Sequence, residues 1–169
     1  MNRKLALCAV LTALALIFSY VEVLLPLTTA VPGIKIGLAN IVILVALYTI
    51  GTGSALVINI LRISLSGFLF GNLFAVAYGL SGGLLSFAIM YLLKKTNRFG
   101  MVGVSMAGGV AHNFGQLSMA ALVVYNAKLF IYMPALLVSG MVTGIFIGII
   151  AFMICKRIPI QNQGKGYIV

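Results

Sequence analysis

Ser54-Ala-Leu-Val-Ile-Asn59-Ile-Leu-Arg62-Ile-Ser-Leu-Ser66-Gly-Phe-Leu69 is the stretch on which the fold turns. It is apolar enough for a membrane span, yet it holds an arginine. Asn59, Arg62 and Ser66 recur at offsets of three and four, which places them on one face of an α-helix. An arginine at bilayer depth costs about 2.5–3.5 kcal/mol on insertion scales, so Arg62 needs a partner, a water-filled cavity or a ligand. That face points into a bundle.

The remainder of the 169 residues describes the same environment. Hydrophobic residues make up 63% and charged residues 7%, with a mean hydropathy of +1.22; a soluble domain carries about 25% charged residues to cover its surface. This chain must face lipid. A span needs about 20 residues, fewer where the helix is short or broken. The apolar runs predict helices near Lys4 to Leu25, Ile34 to Ile50, Ser54 to Leu69, Asn72 to Leu93, Met101 to Val124 and Leu129 to Cys155. The breaks are Pro26 with Pro32-Gly33, Gly51-Thr52-Gly53, Gly67 to Gly71, the basic run Lys94 to Arg98, and Asn126 to Lys128 before Pro134. The expected fold is an all-α integral membrane protein: a six-helix transmembrane bundle over residues 1–158 and a short cytoplasmic tail over 159–169. Leu5 to Phe18 resembles the apolar core of a secretory signal, but Glu22 and Pro26 stand where a small-residue cleavage site belongs. It reads as a retained first helix.

An even number of spans puts both termini on one side. Arg3, Lys4, Lys94, Lys95, Arg98, Lys156, Arg157 and Lys165 then share that side, against Lys35 and Lys128 on the other. The positive-inside bias makes the termini cytoplasmic. Gly140, Gly144 and Gly148 in the sixth helix, and Gly79 and Gly83 in the fourth, recur every four positions and suit close helix packing within the bundle.

Polar residues then sort by depth. Lys35 and Asn40 fall in the outer half of the second helix, Glu22 near the outer end of the first, and Arg62 and His112 near the middle. The fifth helix carries Ser105, Gly109, His112 and Gln116 on one face with Asn113 alongside. A pocket open to the exterior accounts for this convergence, lined by Lys35, Asn40, Asn59, Arg62, His112, Asn113 and Gln116. Its cations and amides suit a small guest that is anionic or rich in hydrogen-bond acceptors. Glu22 pairing with Lys35 or Arg62 to close the bundle is compatible with such a pocket. Pro26 to Gly33 caps the outer face, as a lid or as a plain connector.

Several functions are disfavoured by composition. There is no Asp, and Glu22 is the single side-chain carboxylate, so paired-carboxylate hydrolysis and Asp-rich Mg²⁺-diphosphate sites are beyond this chain's own side chains. No enzyme activity is expected. The net charge of +10 is spread in short groups beside apolar runs, which is a topology signal and not a nucleic-acid footprint. Cys8 and Cys155 have neither C-x-x-C spacing nor clustered histidines, so no metal site or cofactor is expected.

Pro32-Gly-Ile-Lys-Ile-Gly-Leu-Ala-Asn40, Leu61-Arg-Ile-Ser-Leu-Ser-Gly67-Phe-Leu-Phe-Gly71 and Gly108-Gly-Val-Ala-His-Asn-Phe-Gly-Gln116 resemble the membrane family called Gx transporter, or heptaprenyl diphosphate synthase component I-like. The resemblance covers residues 1 to 158. That family is similar to the S-components of energy-coupling-factor transporters, which are small six-helix proteins of the bacterial cytoplasmic membrane. The resemblance implies uptake of a vitamin-like or precursor molecule together with a transmembrane coupling subunit and two ATPase subunits. It also implies docking of the coupling subunit on an Ala-x-x-x-Ala pattern, which stands here at Ala9 and Ala13. No Gly-rich Lys-Ser/Thr phosphate loop occurs, so ATP use falls to the partners. A non-transporting subunit linked to isoprenoid or quinone synthesis, or to extracellular electron transfer, is the alternative from a different class. An anion pore is a third, for which one six-helix monomer leaves little room.

Overall fold

The computed structural model describes residues 2–24 and 36–158. Among them the chain forms α1 (Asn2–Leu24), α2 (Leu38–Thr49), α3 (Thr52–Phe70), α4 (Leu73–Thr96), α5 (Met101–Val124) and α6 (Met133–Arg157), with a 3-10 segment over Ala127–Tyr132 before α6 and no strand. Lys35, the Pro26 to Gly33 segment and the 159–169 tail lie outside the described residues.

Successive helices run up and down. Their contacts close a ring in the order α1, α2, α6, α5, α4, α3 and back to α1, with α2 also touching α3. Four stretches are long and apolar enough to cross a membrane: Lys4–Leu24, Thr52–Phe70, Leu73–Thr96 and Ala127–Arg157. This is a helical membrane protein. The other two helices differ for visible reasons. α5 has the length, but Ser105, His112, Asn113 and Gln116 interrupt its apolar character. α2 has only 12 residues, about 18 Å at 1.5 Å per residue, against a hydrocarbon core of about 30 Å.

Two helix boundaries depart from the apolar pattern. The second helix, expected from Ile34, starts at Leu38 because Gly37 adopts φ 79°, a left-handed conformation that stops the helix there. The sixth, expected from Leu129, starts at Met133, where Pro134 occupies the first turn and needs no N–H partner. Asn72, expected as the first residue of the fourth helix, is instead its cap: its side chain accepts from the Ala75 N–H at 2.8 Å.

The two ends of the ring are built differently. Toward the end that carries Asn2 and Ile158, α2 plugs the centre with eight buried residues. Ile43, Leu44 and Leu47 pack there with Ile58, Phe87, Met90, Val104, Ala151 and Cys155. Toward the opposite end α2 stops short, and the ring encloses polar residues instead.

Backbone proximity holds the α5–α6 seam. A Cβ at Gly140 would lie 2.7 Å from the Gly109 carbonyl oxygen, and one at Gly144 or Gly148 would lie 2.7 Å from the Cα of Met106 or Val102. The four-residue glycine ridge therefore packs within the molecule. Lipid offers no hydrophobic drive for helix pairing, so such close approach supplies it through dispersion. Gly79 and Gly83 instead make room for the Ile63 side chain of α3.

Candidate functional site

Where α2 falls short, a cavity of about 340 Å³ opens in the half of the bundle away from Asn2 and Ile158. All six helices line it, among them Ser19 and Glu22 from α1, Asn40 from α2, Arg62 and Ser66 from α3, Gly79 from α4, Gln116 from α5 and Thr143 from α6.

Arg62 is its centre. Placed by the middle of α3, it is 8% exposed and is held by amides. Its Nη2 donates to Asn40 Oδ1 at 2.7 Å, and both Nε and Nη2 donate to Asn59 Oδ1 at 3.2 and 3.1 Å. Asn59 is fixed in turn, donating Nδ2 to the Gly83 carbonyl at 3.1 Å. Gly83 is glycine because a Cβ there would press on Ile63 and reach within 3.4 Å of Asn59 Nδ2. The i, i+3 spacing of Asn59 and Arg62 thus builds a rigid mount. Among the described residues, Nη1 joins none of these bonds, and Arg62 lines the cavity.

Of the counter-charges expected for Glu22, Lys35 lies outside the described residues and Arg62 lines the same cavity. Glu22 Oε1 accepts from the backbone N–H groups of Gly37 and of Leu38, the latter at 2.8 Å. The single carboxylate caps the N-terminus of α2 from another helix, where the helix dipole favours negative charge. Lys94 does the converse at the other end of α2. Its Nζ donates to the Leu47 carbonyl at 2.6 Å and sits 4.7 Å from the centre of the Tyr48 ring. A helix of only 12 residues is thus met at both ends by opposite charges from its neighbours.

The α5 wall supplies His112, Asn113 and Gln116. Asn113 donates Nδ2 to the Leu136 carbonyl of α6 at 2.7 Å. Ser81 donates to the Gly115 carbonyl at 3.1 Å, tying α4 to α5 beside Gln116. Gln116 is 3% exposed, and its stem lies over Gly82, where a Cβ would come 2.6 Å from Gln116 Cγ. Facing this wall are small residues of α3 and α4, namely Gly67, Gly71, Ala75 and Gly79, with Phe70 at the rim. Phe70 pairs with Tyr20 of α1 at 4.9 Å between ring centres.

Of the residues expected to form a site, Asn40, Arg62, His112, Asn113 and Gln116 meet on this one cavity. Asn59 stands behind Arg62, and Lys35 lies outside the described residues. Ala9 and Ala13 are exposed on α1, away from the cavity and near the basic end. Glu22, Ser19 and Thr143 join the lining without having been singled out for it. Glu22 was legible only as a charge, because its partners are backbone N–H groups.

A cation, amides and hydroxyls surround one space, beside small and apolar residues. A family model described as heptaprenyl diphosphate synthase component I matches residues 11–154. No curated protein and no solved structure matches. With most of its length covered by that one model, the chain belongs to the heptaprenyl diphosphate synthase component I family.

Proposed function

We propose that this chain is the solute-capturing membrane subunit of an uptake transporter, similar to an S-component of the energy-coupling-factor type, and carries out no reaction itself. The observation behind this reading is the polar cavity of about 340 Å³ enclosed by an apolar bundle. Its volume falls in the range of small-molecule sites. A buried arginine held by two asparagines, with one nitrogen outside their bonds, suits a guest that is anionic or rich in acceptors.

Orientation supports the same reading. Lys4, Lys94, Lys95, Arg98, Lys156 and Arg157 lie at one end of the bundle and Lys128 at the other. By the positive-inside bias the basic end is cytoplasmic, all six helices cross the bacterial cytoplasmic membrane, and the cavity faces outward. A transmembrane coupling subunit and two ATPases would supply the energy, with the coupling subunit resting on α1 at Ala9 and Ala13.

Mass spectrometry of small molecules released from protein purified in mild detergent tests this. We expect a discrete compound in the wild type and at least tenfold less in Arg62→Ala of equal helix content. A wild type that releases nothing, and that copurifies with neither a coupling subunit nor ATPases, refutes the carrier role.

A further inference from the structure

We infer that the ligand turns toward Gln116 an edge bearing a hydrogen-bond donor and an acceptor side by side, as a lactam, imide or carboxamide does, and turns an acceptor toward Arg62. This rests on the carrier reading and narrows its substrate class.

The inference comes from accounting for the cavity's amides. Asn40 accepts from Arg62, and Asn113 donates to Leu136. Asn59, behind the wall, is bonded to Gly83 and Arg62. Gln116 is different. It is 97% buried by its 3% exposure, it lines the cavity, and among the described residues its carboxamide forms no hydrogen bond with protein. Its stem is held against Gly82 of α4, and the neighbouring backbone is fixed by the Ser81 to Gly115 bond. A membrane protein that buries an amide without a protein partner leaves both its N–H₂ and its C=O to whatever enters the cavity.

A carboxamide presents one donor and one acceptor in a plane, so its match is a group with the reverse pair on one edge. A carboxylate or phosphate offers acceptors alone and would leave the Gln116 carbonyl unmatched; those groups suit Arg62. The two readers stand on different helices, α3 and α5, so the ligand carries both features at separate positions.

The test uses purified wild type, Gln116→Met, which keeps the length and loses both polar atoms, and Gln116→Asn, which withdraws the amide by one carbon. Each is checked for unchanged helix content and a single elution peak. Released small molecules are identified by mass spectrometry, and direct binding is measured for quinazoline-2,4-dione and its N,N′-dimethyl derivative. A lost matched pair corresponds to a drop of about five- to hundredfold.

The expected result is a released compound with an N–H beside a carbonyl, retained at least fivefold less by Gln116→Met. Alternatively, the wild type prefers the unmethylated dione at least fivefold and Gln116→Met loses that preference. A released compound without such an edge, or equal retention by wild type and Gln116→Met, overturns the inference and leaves the carrier role standing. Where no compound is released, measurable but equal binding of both diones does the same. A wild type that releases nothing and binds neither dione overturns the inference, and the carrier role falls with it when neither a coupling subunit nor ATPases copurify.

Discussion

Replacing Gly140 by alanine adds one methyl group at the close α5–α6 seam. That carbon would lie 2.7 Å from the Gly109 carbonyl oxygen, 2.9 Å from its carbon and 3.0 Å from Asn113 Nδ2. Ordinary contact begins near 3.4 Å, so α6 must move off α5 by about 0.7 Å. The two nearest obstacles are backbone atoms of Gly109, which no side-chain rotation can move aside. The ridge at Gly144 and Gly148 shifts with it, and the Asn113 to Leu136 bond is disturbed. Overpacking of this kind costs about 1–3 kcal/mol, against which alanine regains about 1 kcal/mol of helix propensity. The net loss is up to about 2 kcal/mol, a fall in Tm of up to about 8 °C by the scaling for chains of this size. Gly103→Ala is the control, since its nearest neighbours are Phe99 carbons at 3.8 Å. It keeps only the propensity gain and raises Tm by about 2–4 °C. The chain has no tryptophan, so the measurement is loss of the far-ultraviolet circular dichroism helix signal on heating in detergent. Equal shifts of the same sign for both variants would refute the argument that backbone contact, and not glycine content, sets the seam.

Other expectations follow from the capping and the topology. Glu22→Ala removes the shared acceptor of two backbone N–H groups and lowers stability by about 2–4 kcal/mol, whereas Glu22→Gln keeps an acceptor and loses less than half of that. Thermal melts of the pair check it, and identical melts would contradict the capping role. Lys94→Met strips α2 of its C-terminal donor and the Tyr48 contact, at about 1–3 kcal/mol; hydrogen exchange near Leu47 should rise, and an unchanged rate would speak against the bond. In intact cells, Tyr125→Cys, at a site 94% exposed, reacts with a membrane-impermeant maleimide. Arg98→Cys reacts only after permeabilisation, and the reverse pattern would invert the proposed orientation.

The helices were legible because lipid demands long apolar runs and because glycine, proline and basic residues mark where such runs end. Arg62 and the α5 polar face were legible for a related reason: groups that hydrocarbon rejects must converge, and offsets of three and four show which ones share a face. What the residues did not reveal is the role of the backbone. Ile34 and Ile36 continue the apolar pattern of α2, yet Gly37 ends the helix through its φ value. Glu22 reads as a counter-charge for Lys35 or Arg62, and it also bonds two backbone N–H groups that a string of side chains does not display. Asn59 shares the face of Arg62 yet stands a turn away from the cavity, because Gly83 lets α4 approach closely enough to hold it there.

The capping of α2 also constrains biosynthesis. Its carbonyl terminus at Leu47 waits for Lys94, which is 47 residues further along the chain. Hydrocarbon offers bare peptide groups no substitute. In the proposed six-span topology this half-length helix lacks its C-terminal cap in the bilayer while a ribosome is still making α3, so it should settle only after α4 arrives. Nascent chains stalled before Lys94 should therefore be open to membrane proteases at α2, even though all of α2 has already been synthesised.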